Sequence, residues 1–189
     1  MINFAKNLRV IGFDDAPFNK NEDELVNISG VVCSNARFEG MLWGEVSRDG
    51  INATETLFKM VSDSKFYAQI HAVLIDGLAF GGFNLVDLPE LSRKLALPCI
   101  AVMRKAPNFD DIEKALDRFS DKEERKRKIN AAGEVYFSEP FFYQISGCDH
   151  ITAKKILERV TDNGHVPEAL RLAHLIGSAV KTGQSSSRA

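Results

Sequence analysis

The segments HAVLIDG (71–77) and LPCIAVMRK (97–105) constrain the fold more than any other part of the chain. Each carries consecutive apolar residues instead of the alternation expected of a strand with one wet face. Strands of this kind belong in the middle of a sheet that is covered on both sides. Between them, DLPELSRKLA (87–96) has helical spacing with a proline near its start. Strand, helix and strand in so short a span require a parallel, right-handed crossover. Upstream, NATETLFKMVSDSKF (52–66) sets Leu57, Phe58 and Val61 at helical spacing after an Asn/Thr start, so a second crossover precedes the first.

The amino-terminal part has a different rhythm. LRVIGFDD (8–15) is a short apolar run halted by a polar turn with Pro17. VNISGVVCS (26–34) and RFEGMLWGEVS (37–47) are β-branched or alternating and flank the tight link Asn35–Ala36, which predicts an antiparallel hairpin. The first strand reaches that hairpin through the loop NKNED. An antiparallel opening that feeds parallel crossovers predicts an α/β fold with a mixed five-stranded sheet, order 3-2-1-4-5, and flanking helices. That is the RNase H-like arrangement. Beyond residue 106, NFDDIEKALDRF and KEERKRKINAAG read as helices, the second ending at Gly133. EVYF and FFYQISG read as a second, small strand pair around Pro140. HITAKKILERVTDNG, ending at Gly164, and PEALRLAHLIGSAVK are the last helices. One domain over 1–189 is expected, with the tail 182–189 disordered.

Composition narrows the function. Net charge is −2, so no global basic field advertises a polyanionic partner, although a local patch suffices for one. The run KEERKRK mixes signs and reads as a solvated helix face. No stretch approaches the ~20 apolar residues of a membrane span, and MINFAKNLRVIGFDD lacks the apolar core of a signal peptide. Cys33, Cys99 and Cys148 sit in apolar contexts without C-x-x-C spacing and read as buried free thiols in a reducing cytoplasm.

Two acids stand out. Asp14 ends the first strand and Asp76 the fourth, and in the expected order those strands are parallel neighbours roughly 4.8 Å apart. Two carboxylates that close repel each other unless one takes a proton or a cation intervenes. Oxygen ligands favour Mg²⁺, with Mn²⁺ able to substitute, and no His/Cys cluster points to zinc. Asp15 faces the other way and reads as a turn former. A third acid would come from Asp49, just past the third strand, or Glu55, one turn into the first helix. Each also has an ordinary structural role available, in a D-G turn and at a helix N-terminus.

The blocks FDDAPF, VLIDGLAFGGFNLVD, LPCIAVMRKAP and VPEALRLAHLIGSAV closely resemble the archaeal endonuclease dU family over almost the whole chain. That family in turn resembles endonuclease V, through Gly12–Phe18, Asp76–Lys105, Gly147–Thr152 and Pro167–His174. The resemblance implies a Mg²⁺-dependent endonuclease that acts in DNA repair, cutting a phosphodiester near a uracil- or hypoxanthine-type base. It assigns Asp14 and Asp76 to the metal, leaves the third acid between Asp49 and Glu55, and places a late histidine at His150 or one residue earlier, at Asp149. The chain departs from the pattern at Ala16 and lacks a proline-rich wedge. In the expected mechanism two metals about 4 Å apart straddle the phosphate, with Asp14 bridging them. His150 orients water or protonates the leaving group. Arg104 and Lys105 end the fifth strand on the same edge and are candidates for phosphate contact. The Gly81–Gly82 loop offers backbone amides to substrate, whereas Phe80 and Phe83 read as core. His165 and His174 read as structural, His174 lying on an apolar face with Leu170 and Leu175. DNA is the expected partner, with RNA as an alternative. Two other readings stay open: a non-catalytic nucleic-acid-binding or partner-binding module on the same scaffold, and a hydrolase of small phosphorylated molecules.

Overall fold

Described here are residues 4, 7–162 and 165–186 of a computed structural model. β1 (Arg9–Asp15), β2 (Leu25–Ser34) and β3 (Arg37–Ser47) form an antiparallel meander. The reversal between β2 and β3 is made by Asn35, at φ +52°, a left-handed conformation that Asn tolerates. α1 (Ala53–Ser62) crosses over to β4 (Ala72–Asp76), which pairs parallel to β1. A small hairpin follows, β5 (Ala79–Phe80) and β6 (Asn84–Leu85). α2 (Leu88–Leu95) then leads to β7 (Cys99–Met103), parallel to β4. The order β3-β2-β1-β4-β7 is the expected one.

The sheet is nevertheless seven-stranded. After α3 (Phe109–Leu116) and α4 (Lys122–Ala131) come β8 (Tyr136–Ser138) and β9 (Phe141–Ser146). β9 pairs antiparallel with β7, and β8 with β9, so the pair expected to stand alone extends the main sheet. The reason lies in β7. A strand as apolar as CIAVM makes an exposed edge prone to association, and β9 covers it. α5 (His150–Val160) and α6 (Glu168–Thr182) complete the chain of elements. Gly164 and residues 187–189 lie outside the described residues. Gly183 follows α6 with left-handed φ, and the Gln184 carbonyl accepts hydrogen bonds from Ser178 and Thr182.

Both faces of the central strands are dry, which explains their unbroken apolar runs. Ile11, Phe13, Val73, Ile75 and Ala101 pack with Leu57 of α1 and with Leu88 and Leu91 of α2. Val10, Leu74, Ile100 and Val102 pack with Ile156 and Leu157 of α5 and with Ala169, Leu170 and Ala173 of α6. Gly12 decides how closely α6 approaches: a Cβ there would lie 2.7 Å from the Ala169 carbonyl carbon. Its absence lets the helix lie on the β1 backbone. α4 is not merely a solvated face. Arg125 is buried, and its guanidinium donates to the carbonyls of Asp49, Gly50 and Phe83 and to the Asp121 carboxylate. Cys33 and Cys99 are buried and Cys148 is half-buried, all unpaired. Among the described residues no helix is long and apolar enough to cross a membrane.

Candidate active site

The carboxyl ends of β1 and β4 bring Asp14 and Asp76 into one open cleft of about 510 Å³, shared with Asp15, Lys20, Arg104 and His174. Strand register accounts for the convergence: Phe13 pairs with Ile75, so the next residue on each strand is an aspartate facing the α6 side. Gly77 then takes φ +72° and its N–H donates to the Val102 carbonyl, closing β4 immediately after the acid. Arg104 follows β7 at the same edge.

The acids differ in how they are held. Asp14 is almost fully buried. One of its oxygens lies 2.8 Å from His174 Nδ1, and the other accepts the Asp15 N–H at 2.8 Å. Asp15 accepts the Gly81 N–H at 2.7 Å and so anchors the β5–β6 turn. Asp76 has no hydrogen-bond partner among the described residues, although Arg104 and His174 attract its charge. Burial, and then the charge of Asp14, push its carboxyl up to about 6. Burial also lifts Asp15 to about 6, against the Gly81 N–H. The bond to Asp14 raises His174, against the effect of burial. A cleft that buries ionisable groups against their preference is a candidate for chemistry.

Asp14 and Asp76 are the pair that could hold a hard divalent cation. A cation removes their repulsion and satisfies the otherwise unpartnered Asp76. Among the described residues no three His, Cys, Asp or Glu side chains form a metal-binding group. Two carboxylates still suit Mg²⁺, which commonly takes one or two and fills its other positions with water and substrate phosphate.

The other expected site residues are distributed differently. Asp49 does not line the cleft; its carboxylate accepts the Phe83 N–H at 2.8 Å and lies 3.5 Å from Arg118, and its N–H donates to the Gly81 carbonyl. Glu55 is half-exposed and pairs with Lys94 at 2.5 Å and Lys59 at 3.6 Å. Each has found the structural role available to it, so the two-metal arrangement with a third acid is not assembled. His150 contacts the Tyr143 hydroxyl at 2.9 Å and stacks on Tyr136, outside the cleft. Asp149 caps α5 through the Thr152 N–H. Lys105 is exposed and does not line the cleft. Gly81 and Gly82 form the β5–β6 turn; they do not line the cleft, and the Gly81 N–H donates to Asp15. His174, expected to be structural, is instead the histidine of the cleft. Its signal was the small-residue face Ala169, Ala173 and Gly177, which marks a helix lying close on the strand that carries Asp14.

This is an RNase H-like sheet with an acidic cleft at the strand tips, the scaffold of endonuclease V-type nucleases. The endonuclease dU family model matches residues 6–181, and the chain belongs to that family. A UPF0215 protein of Methanothermobacter thermautotrophicus is 40% identical over 183 residues, covering 94% of this chain and 90% of the relative. The crystal structure of an Archaeoglobus fulgidus protein of unknown function has TM-score 0.87 at 32% identity, covering 92% of this chain and 98% of that one. Ciona intestinalis endonuclease V, crystallised with inosine-containing DNA, shares the fold with TM-score 0.56 at 17% identity, over 90% of this chain and 84% of that one.

Proposed function

We propose that the protein is a divalent-metal-dependent DNA endonuclease that hydrolyses a phosphodiester beside a deaminated base, a repair activity. The observation that carries this reading is the convergence of Asp14 and the unpartnered Asp76 on adjacent strand tips, within a family of endonucleases. A Mg²⁺ or Mn²⁺ ion held by Asp14 and Asp76 supplies Lewis-acid activation of the phosphodiester when bound. The remaining work falls to the chain. Arg104 and Lys20 are the cleft's cations and attract the scissile phosphate. His174 is fixed through Nδ1 by Asp14, which leaves Nε2 to carry a proton to the departing oxygen. Asp15 holds the β5–β6 turn at the rim.

Labelled duplexes containing uracil, hypoxanthine or only normal bases test the proposal, with Mg²⁺ and with chelator, using wild type, Asp14→Asn and Asp76→Asn. Metal-dependent cutting beside a deaminated base, lost in both variants, is expected. Cutting that survives chelation or either substitution overturns the mechanism. A second reading, a DNA-binding module without hydrolysis, is favoured by the absence, among the described residues, of a third side chain grouped with Asp14 and Asp76 to hold a metal. Lesion-dependent binding with no cutting under any condition would select it.

A further inference from the structure

β3 is an edge of the sheet, so alternate backbone N–H and C=O groups along its outer side lack a strand partner. The strand is 11 residues long and contains neither proline nor lysine, the usual devices that keep such an edge from pairing with another chain. The opposite edge, β8, has only 3 residues. β3 does carry a β-bulge at Glu39, but that carboxylate turns back onto Arg9 of its own chain at 2.6 Å.

The bulge has a second effect. Gly40 pairs with Val32 and Phe38 with Cys33, so the extra residue brings Phe38 into step with Met41 and Trp43, which pair with Val31 and Ser29. Paired residues of an antiparallel ladder share a face, and α6 packs on that face over β1 and β2. Phe38, Met41 and Trp43 of β3 remain 48%, 36% and 39% exposed. On the other face Phe66 and Met60 lie against Gly40 and Gly44, so that side of β3 is already covered. A row of large apolar side chains beside an unpaired strand backbone suits a further strand. Charge decides whose. Arg37 and Glu45 stand near opposite ends of β3, and neither side chain has a partner among the described residues. Antiparallel pairing with β3 of a second copy, about a two-fold axis at Met41, sets Arg37 of each copy within one position of Glu45 of the other. Parallel pairing sets like charge on like. The same register lays Met41 on Met41 and, across the bulge, Trp43 opposite Phe38. Nucleic acid fits this edge poorly, since two of the strand's three charged side chains are acidic.

We infer that β3 is the seam of a homodimer, in which two copies pair antiparallel through β3 and join their seven-stranded sheets into one. β3 runs parallel to β1, so the two acidic clefts open at opposite edges of the joined sheet and neither copy completes the other's site. The dimer is independent of the reaction proposed for the cleft.

Trp43 is the chain's only tryptophan, so its emission reports on the seam. Full-length wild type at micromolar concentration is expected to sediment at about twice 21.0 kDa, with Trp43 emission moving to the red on dilution. Met41→Lys is expected to weaken association about tenfold or more, as loss of a central apolar contact does, with an unchanged circular dichroism spectrum. Arg37→Glu and Glu45→Arg are each expected to weaken it, and the two together to restore it. Register is read from single cysteines placed in a Cys148→Ser background and oxidised with copper phenanthroline, each pair of thiols giving two electrons to the oxidant and releasing two protons. Met41→Cys is expected to cross-link, because residues paired across a two-fold axis have Cα atoms about 4.5–5.5 Å apart, within the span of a disulfide. Glu45→Cys is not, since its counterpart lies roughly 25 Å away at ~3.3 Å per residue. Monomeric wild type overturns the proposal. So do cross-linking of Glu45→Cys, association unmoved by Met41→Lys, or a charge swap that fails to restore pairing. Trp43 emission in a monomer that responds to a normal DNA duplex also overturns it and makes the edge a nucleic-acid contact.

Discussion

Burial and the charge of Asp14 hold the Asp76 carboxyl at about 6, against an ordinary 3.8, and this sets a direction for stability that is easily mistaken. A group whose pKa is raised by folding binds its proton more tightly in the native state. Its contribution is therefore fully present below about pH 4 and is lost as pH rises through about 6. Above that range the ionised carboxylate opposes folding by roughly 3 kcal/mol, the equivalent of moving from 3.8 to about 6. Asparagine copies the neutral form. Asp76→Asn is accordingly expected to stabilise the metal-free protein at pH 7.5 by up to about 3 kcal/mol, or roughly 6–12 °C in Tm for a chain of this size. The gain should vanish at pH 4. Mg²⁺ should reverse the ranking, since it stabilises wild type by mass action and the variant much less. Thermal melts in chelator and in Mg²⁺ at both pH values measure all four quantities. A variant less stable than wild type at pH 7.5 in chelator, or equally stabilised by Mg²⁺, refutes the reasoning.

Three further outcomes follow from the same geometry. His174→Gln is expected to lower cutting about 10–100-fold, the usual effect of losing a partner that orients a metal ligand; because Asp14 raises His174, the stability difference from wild type should be largest below pH 6.5 and shrink as pH rises, as denaturant titrations at pH 6 and 9 would show. Arg125→Met strips the donor from three backbone carbonyls and should lower stability by about 2–4 kcal/mol, read as a lower denaturant midpoint; a change within experimental error would mean that the α4 clamp is dispensable. Asp49→Asn and Glu55→Gln should leave Mg²⁺ affinity in calorimetric titration unchanged, and a loss comparable to that of Asp76→Asn would restore one of them as a ligand.

The parts of the fold governed by local pattern were legible in the sequence. Unbroken apolar runs at 73–75 and 99–103 marked strands dry on both faces, and Asn35–Ala36 marked the hairpin. From these the order of five strands followed, and with it the meeting of Asp14 and Asp76. Features that depend on long-range pairing were not legible. Nothing within FFYQIS says that β7 needs a neighbour, so local pattern alone leaves β8 and β9 as a separate pair. Arg125 looked like one charge among many until the carbonyls of Asp49, Gly50 and Phe83 appeared around it. Asp49 and Glu55 satisfied the expected spacing for a third acid, but spacing along a chain does not show that Phe83 and Lys94 claim those carboxylates first. The place of His174 in the cleft is hidden for the converse reason: an apolar helix face can still deliver one polar group to a strand end when a glycine, here Gly12, allows close approach.

The most direct measurement is anomalous diffraction from crystals soaked in Mn²⁺. The account predicts a peak at the tips of β1 and β4, within coordination distance (about 2.0–2.2 Å) of a carboxylate oxygen from each of Asp14 and Asp76, and no such peak in Asp76→Asn crystals. Manganese bound elsewhere, held by only one of the two aspartates, or undiminished in the variant would contradict it.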